Sequence, residues 1–233
     1  MALFAGMSGW AYPGWRGAFY PPDEPPARML RSYAARFNTV EVNNTFYRLP
    51  TASALESWSE QVPPTFQFAI KASRVITRQK RLADSADLAA RFCDLLTRMG
   101  PRLGPVLFQF ETRADVPQLV DFLAIIRPRL KRIVVEFRHA SWLTDATFDV
   151  LRASNVALCQ TETDDGSDPS ISAADFSYVR LRKSAYTASE LEERIAGLAA
   201  LADADHDVFC YLRHDVENAV LLRDLRPALL HNG

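Results

Sequence analysis

Glu41, Lys71 and Glu136 each lie at or near the C-terminal end of a short apolar run. A glutamate whose pKa is tuned by its surroundings serves as a general acid or base, and an adjacent cation keeps it ionised. A desolvated lysine can act as an electrophile or form an imine with a carbonyl compound. We therefore predict that these three residues are catalytic. A salt bridge from Lys71 to Glu41 is the alternative, purely structural role.

Eight short apolar runs recur along the chain, separated by longer amphipathic stretches. The predicted strands are Phe4–Trp10, Thr39–Asn43, Phe66–Lys71, Pro105–Phe110, Ile133–Arg138, Val156–Gln160, Tyr178–Arg182 and Val208–Arg213. Alternating β and α patterns predict a parallel sheet. Eight such strands in 233 residues predict closure into a barrel. The predicted fold class is α/β, a (β/α)8 TIM barrel in one domain over residues 1–233.

Helical periodicity fills most of the intervals between these strands. The predicted helices are Ser53–Gln61, Ala83–Met99, Val116–Ile126, Asp145–Ala153, Ala188–Leu201 and Val216–Leu230. Two segments lack this periodicity: the proline-rich stretch 12–26 and the acidic stretch 161–174. The second predicts an irregular or missing helix after strand six. Long loops that follow barrel strands usually border the active face.

Strand alternation predicts which side chains face the barrel axis. The outer face of the sheet must be apolar where it meets the helices, so the polar residues point inward. The inward polar residues are Glu41, Asn43, Lys71, Gln109, Glu136, Arg138, Arg180, Arg182 and, after strand eight, Arg213. They concentrate at the C-terminal strand ends, where barrel enzymes hold their active sites.

Cations outnumber carboxylates in this inward set, and buried charges must be paired. A phosphate or carboxylate ligand would balance the excess. The predicted substrate-binding residues from alternation are Asn43, Gln109, Arg138, Arg180 and Arg182. A purely structural network of ion pairs is the alternative.

Aromatic residues cluster in the loops after strands one and two. They are Trp10, Tyr12, Trp15, Phe19, Tyr20, Phe46 and Tyr47. Exposed aromatic rings stack on sugars or bases. The alternative is a packed lid beneath the proline-rich loop.

Several segments together resemble the YecE-like TIM-barrel family, catalogued as domain-of-unknown-function family seventy-two and described as related to sugar isomerases. The matching segments are GMSGWAYPGWRGAFYP, FNTVEVNNTFYRLP, FAIKASRVIT, GPVLFQF, VVEFRHASW and YVRLR. They span nearly the whole chain. The resemblance implies a barrel with an active face at these motifs, without an established reaction. It also implies substrate-binding roles for Ser8, Trp10, Tyr12 and Tyr47.

Three positions depart from the family's pattern. Arg182 and Lys183 stand where a His-Gly pair is usual, and Arg213-His214-Asp215 replaces a paired-Asn stretch. Arg78 follows Thr77 where the family has a histidine. These changes make the predicted mouth of the barrel more basic, which is consistent with a diverged substrate or with lost activity.

Three functional hypotheses follow. The first is an enzyme that acts on a small anionic metabolite through acid/base chemistry. The second is a nucleic-acid-processing or nucleic-acid-binding barrel, suggested by the basic loop Arg74–Arg81. The alternative for this loop is a solvent-exposed surface with no binding role. The third is a barrel that binds an anion without turnover.

Composition and motifs narrow these hypotheses. The net charge of −1 and the pI near 6.4 give no overall electrostatic footprint for nucleic acid or an anionic membrane. We find no Walker loop, GxGxxG, GxSxG or HExxH motif, and predict no cofactor and no metal. Cys93, Cys159 and Cys210 form no metal or disulfide motif, which predicts buried thiols. With no signal peptide or membrane-spanning run recognised, we expect a cytoplasmic protein.

Overall fold

The structure is a computed structural model and describes residues 2–77, 85–168, 171–202 and 206–230, the side chains of residues 226–230 excepted. The strands are β1 (Leu3–Met7), β2 (Thr39–Val42), β3 (Gln67–Lys71), β4 (Leu103–Phe110), β5 (Ile133–Phe137), β6 (Val156–Thr163), β7 (Gly166–Ser167), β8 (Phe176–Leu181) and β9 (Asp207–Leu212). The helices are α1 (Met29–Ala34), α2 (Ala52–Glu60), α3 (Arg74–Thr77), α4 (Ala86–Leu96), α5 (Val116–Ile126), α6 (Asp145–Ala153), α7 (Ala188–Ala202) and α8 (Val216–Leu230). Among these residues, no helix is both long and apolar enough to cross a membrane.

Eight of the strands form one parallel sheet in the order β1-β9-β8-β6-β5-β4-β3-β2, and helices alternate with them along the chain. This arrangement confirms the predicted (β/α)8 barrel. The remaining strand, β7, pairs antiparallel with the end of β6. Between β6 and β8 the described part of the chain contains this hairpin and no helix, as the aperiodic segment 161–174 predicts.

The predicted element bounds need several corrections. Strand β6 continues three residues beyond its predicted end because its last residues pair with β7. Helix α4 begins at Ala86 and ends at Leu96, and a 3-10 segment follows it; the first residues of the predicted helix Ala83–Met99 lie outside the described residues. The short helices α1 and α3 were not predicted.

Two apolar layers confirm the alternation argument. The outer layer lies between sheet and helices, and the inner layer fills the barrel. The inner layer comprises Ala69, Leu107, Val134, Ala157, Cys159, Phe176, Tyr178, Phe209 and Tyr211. The three cysteines are buried and unpaired, as predicted. The polar strand ends therefore rest on a packed floor of side chains.

Side chains, rather than a backbone ladder, close the barrel between β1 and β2 among the described residues. The Asn38 amide accepts from the N–H of Ala5 at 3.2 Å and donates to the carbonyl of Leu3 at 2.9 Å. The Tyr33 hydroxyl accepts from the N–H of Met7 at 2.7 Å and donates to the carbonyl of Thr39 at 2.9 Å. These bonds satisfy backbone groups that would otherwise be buried without partners.

Gly6 makes this seam possible because the two strands approach too closely there for a side chain. A Cβ at Gly6 would lie 2.2 Å from the carbonyl oxygen of Thr39 and 2.8 Å from the Tyr33 hydroxyl. We expect Gly6→Ala to destabilise the fold by about 2–4 kcal/mol, since the backbone must move to admit a methyl group. Urea denaturation would measure this.

Gly197→Ala is the matched control, because Gly197 lies in α7 and a Cβ there would meet no atom within 4 Å. Alanine is the better helix former, so this variant should be stabilised by about 0.5–1 kcal/mol. Equal unfolding free energies for the two variants would contradict the role of Gly6 at the seam.

Candidate functional site

The C-terminal ends of six strands bring their polar side chains into one cluster at the mouth of the barrel. The cluster contains Ser8, Glu41, Asn43, Lys71, Gln109, Glu136, Arg138, Arg180 and Arg182. Gln109 and Glu136 lie level with each other across the β4–β5 ladder. The predicted site residues from alternation therefore meet, with the exception of Arg213.

Glu41 is fully buried, and both of its oxygens accept hydrogen bonds. Oε2 accepts from the Ser8 hydroxyl and from the Asn43 amide, each at 2.7 Å. Oε1 accepts from the Tyr178 hydroxyl at 2.8 Å. Arg182 adds an ion pair to Oε2 at 2.7 Å. Tyr178 is the partner that the sequence analysis missed: it begins a predicted strand, but it is not among the predicted site residues.

Arg180 links the two buried carboxylates. Its Nη1 donates to both oxygens of Glu136 at 3.2 Å, and its Nη2 donates to Glu41 at 3.2 Å. Its Nε lies 2.9 Å from Oε1 of Glu41. Burial opposes charge on this guanidinium, but the two carboxylates outweigh burial and raise its pKa. One cation thus neutralises parts of two anions that belong to strands not adjacent in the sheet.

The pKa of Glu41 is lowered, although desolvation alone would raise it. Arg180 and Arg182 favour the carboxylate, and the hydrogen bonds from Asn43 and Ser8 add to their effect. A carboxylate in this state holds its partners tightly and accepts a proton poorly. Its geometry suits an anchor for the two arginines better than a general base.

Glu136 is buried but is held by cations rather than by neutral donors. Arg138 contacts its Oε1 at 2.6 Å, and the Lys71 ammonium lies 3.9 Å from its Oε2. The alternative role for Lys71, a salt bridge to Glu41, is thereby corrected: its ion pair is with Glu136. The Arg138 side chain is 51% exposed, so this ionic partner of Glu136 faces the solvent at the mouth of the barrel.

Lys71 is held at a fixed point beside Glu136. Its Nζ donates to Oε1 of Gln109 at 2.6 Å and lies 4.4 Å from the centroid of the Phe46 ring. Its pKa is lowered, because burial and the nearby Arg180 outweigh the attraction of Glu136. Gln109 in turn donates to the exposed Glu111 at 2.9 Å.

The predicted aromatic positions separate into different environments. Tyr12 donates to the carbonyl of Ser8 at 2.5 Å and stacks on His214. Trp10 packs edge-on against Trp58 of α2, whereas Tyr47 is exposed. The remaining loop aromatics Trp15, Phe19 and Tyr20 are buried and pack on one another.

Of the basic residues that depart from the family's pattern, some contact the charged cluster at the mouth and others do not. Arg182 joins the cluster, but Arg213 pairs with Asp215 at 2.6 Å, and Lys183 lies 3.2 Å from Glu162. In the basic loop, Arg74 covers the ring of Tyr47. Its other cations, Arg78, Lys80 and Arg81, lie outside the described residues.

The hairpin β6–β7 borders the mouth next to Arg138. A cavity of about 290 Å³ lies between this arginine and hairpin residues that include Thr161, Asp165 and Asp168. His139, beside Arg138, turns its Nδ1 to accept from the N–H of Ser141 at 3.1 Å. In the described part of the chain, no three His, Cys, Asp or Glu side chains meet in a way that could hold a metal ion.

Eight parallel strands around a filled interior, with charged residues at their C-terminal ends, define this molecule as a TIM-barrel protein with a polar mouth. The chain belongs to the family described as "Protein of unknown function DUF72", whose model matches residues 4–227. This confirms the family predicted from the motifs.

The relatives support the same assignment. UPF0759 protein YunF of Bacillus subtilis (strain 168) is 28% identical over 156 residues, which are 63% of this chain and 54% of the relative. The chain thus aligns with about half the length of that relative. A DUF72 family protein from Thermotoga maritima MSB8 superposes with a TM-score of 0.75 at 20% identity, over 100% of both chains. Another, from Enterococcus faecalis V583, gives 0.72 at 15% identity over 99% of this chain and 96% of its own. These structures show the shared fold.

We expect Glu41→Gln to destabilise the protein by about 3–5 kcal/mol at neutral pH, because Arg180 and Arg182 lose the charge that compensates their burial. A carboxylate with a lowered folded-state pKa stabilises above its unfolded pKa, about 4.3, and that contribution is lost as the pH falls below it. The difference in unfolding free energy between wild type and variant should therefore shrink on acidification.

Glu56→Gln is the control for this measurement. Glu56 is exposed and lies 3.7 Å from Arg98, so its loss should change the unfolding free energy by no more than about 0.5 kcal/mol. A pH-independent difference between wild type and Glu41→Gln would contradict the assigned ionisation of Glu41.

Proposed function

We propose that this protein is an enzyme that acts on a small anionic metabolite carrying a phosphate or carboxylate group. One observation supports the proposal above others: among the residues that the structure describes, four cations contact the two buried carboxylates of the cluster. Counting the exposed Glu111, which accepts from Gln109, the four cations exceed the three carboxylates by one while Lys71 is protonated. Asp165 and Asp168 lie farther out, in the lining of the cavity beside Arg138. An anionic ligand at the mouth would balance that excess.

Arg138 is the residue best placed to hold the anionic group. One of its terminal nitrogens contacts Glu136, and about half of the side chain is exposed beside the 290 Å³ cavity. A guanidinium presents several N–H donors in a fixed plane, so it can keep one carboxylate and bind another oxyanion. Arg182, 15% exposed, is the second candidate.

Proton transfer belongs to the side of the cluster that holds Glu136 and Lys71. Glu136 has ionic partners that a ligand could draw away, and the lowered pKa of Lys71 brings this amine closer to neutrality. Glu41 acts as a positioning residue, because it orients Arg180 and Arg182. The buried, unpaired cysteines suit a reducing compartment, so we place the reaction in the cytoplasm.

Binding of named anions tests the first half of the proposal. Calorimetric titration with inorganic phosphate, pyruvate, glyoxylate, dihydroxyacetone phosphate and glyceraldehyde 3-phosphate should find at least one ligand. Arg138→Ala should weaken it about 10- to 100-fold, which is the worth of a charge-assisted hydrogen bond. The matched control is Arg152→Ala: the Arg152 side chain is 52% exposed and pairs with Asp149 on α6, so its loss should leave binding unchanged.

Turnover of the bound compound tests the second half. Glu136→Gln should lose about 10²–10⁴-fold in turnover. Because Arg180 and Lys71 then lose part of the charge that compensates their burial, we expect this variant to be destabilised, and turnover is compared at a temperature at which both proteins are folded. Binding without turnover in the wild type would favour a non-catalytic anion-binding barrel. Salt-dependent binding of oligonucleotides, with no small anion bound, would overturn the proposal in favour of nucleic-acid recognition.

A further inference from the structure

We propose that Lys71 is a nucleophile that forms an imine with the substrate. The substrate would then be a carbonyl compound with an anionic group, such as a 2-oxo acid or an aldose or ketose phosphate. This inference rests on the proposed function and narrows its substrate class. Imine formation requires three things: an amine held in place, surroundings that allow this amine to lose its proton, and a nearby group that carries protons.

The amine is fixed from three directions. Gln109 accepts its hydrogen bond at 2.6 Å, the Phe46 ring lies 4.4 Å below it, and Glu136 stands at 3.9 Å. Its strongest hydrogen bond goes to a neutral amide oxygen rather than to a carboxylate. A neutral acceptor also accepts from an uncharged amine, so deprotonation of Nζ does not break this contact.

The surroundings make the neutral form of this amine easier to reach, because they lower its pKa. The side chain is 10% exposed, and Arg180, itself buried, repels a second positive charge at Nζ. Arg138 adds to that repulsion, and the attraction of Glu136, at 3.9 Å, and of Glu41 offsets burial and repulsion only in part. Burial and a neighbouring cation are the two conditions that activate an imine-forming lysine.

Lys71 differs in setting from the other lysines of the chain, which are Lys80, Lys131 and Lys183. Lys183 lies 3.2 Å from the buried carboxylate of Glu162 and 4.0 Å from Glu190, on the outer side of the barrel wall. Lys131 is exposed in the segment that leads into β5, at the opposite end of the barrel. Lys80 lies outside the described residues.

The proposed step is balanced without any added reactant. The Lys71 ammonium passes one proton to Glu136, and the nitrogen lone pair bonds to the carbonyl carbon while the carbonyl π electrons move to oxygen. Glu136 returns that proton to the oxygen, then takes a second proton from the attached nitrogen and passes it to the hydroxyl group, which leaves as water while the nitrogen lone pair forms the C=N bond. An ammonium and a carbonyl thereby become an iminium and one water molecule.

Arg138 and Lys71 contact opposite oxygens of the same carboxylate. The imine-forming nitrogen and the anion-binding guanidinium are therefore separated by little more than one carboxylate group. This spacing suits a short molecule whose carbonyl lies a few bonds from its phosphate or carboxylate.

Reductive trapping tests the inference. The full-length protein is incubated with glyceraldehyde 3-phosphate, dihydroxyacetone phosphate, pyruvate or glyoxylate in the presence of cyanoborohydride, and adducts are located by peptide mass mapping. At least one compound should give a single dominant adduct on Lys71. Lys71→Arg should lose it, and Lys131→Arg, the control, should trap as the wild type does.

A neutral analogue separates the role of the amine from that of the anion. Glyceraldehyde lacks the phosphate of glyceraldehyde 3-phosphate. Arg138→Ala should slow trapping of the phosphate ester at least about tenfold and leave trapping of glyceraldehyde unchanged. Trapping rates should also rise with pH toward the lowered pKa of Lys71, since the neutral amine is the reactive form.

The outcomes separate this inference from the proposed function. Calorimetric binding of an anionic carbonyl compound with no adduct on Lys71 would overturn the imine and leave anion binding standing. Adducts spread evenly over the lysines would also overturn the imine at Lys71. This outcome can be judged from the wild-type protein alone, without any variant. Equal trapping rates for glyceraldehyde and glyceraldehyde 3-phosphate, both unaffected by Arg138→Ala, would support imine formation at Lys71 but contradict anion binding at Arg138.

Discussion

The pairing of Arg180 with Glu41 and Glu136 is the interaction on which the mouth of this barrel depends. Each carboxylate alone would be costly to bury, and the cost falls only when a cation and good hydrogen-bond donors replace water. Arg180 supplies both, because its planar guanidinium reaches the two anions at once. Without it, Glu41 would depend on Arg182, and Glu136 on Arg138 and Lys71, for the compensation of its charge above an apolar floor.

The barrel must close accurately for that pairing to form. Glu41 and Arg180 lie on β2 and β8, which the sheet path separates, so their distance depends on how β1 and β2 meet. At this seam Asn38 and Tyr33 hold the strands together through side chains, and Gly6 permits the close approach. Fold closure and charge neutralisation therefore support one another across the same part of the molecule.

Sequence periodicity predicted the strands, their inward faces and most of the cluster, because alternation is a local property of each strand. Ser8 came from the family resemblance, and Arg213 pairs with Asp215 instead of joining the cluster. Periodicity could not predict the partners. Whether Lys71 meets Glu41 or Glu136 depends on register and tilt around the whole barrel, which no single strand encodes; the ion pair is in fact with Glu136. Tyr178 likewise lies in a predicted strand, but its hydrogen bond to Glu41 spans the barrel, so the strand pattern alone does not reveal it. Strand β7, which pairs with β6, has only two residues, Gly166 and Ser167, and is too short to show a periodic sequence pattern.

The two glutamates are chemically distinct although both are buried strand-end carboxylates. A general base must release the partners that hold its lone pairs before it can take a proton. Glu41 is held by Ser8, Asn43, Tyr178 and two arginines, so protonating it would disturb most of the cluster. Glu136 has Arg138 at the open side and Lys71 at a longer distance, and an incoming anion competes directly for that arginine. An anion bound at Arg138 would thus loosen the ion pairs of Glu136 and leave those of Glu41 in place, so the two carboxylates respond differently to a ligand at the mouth.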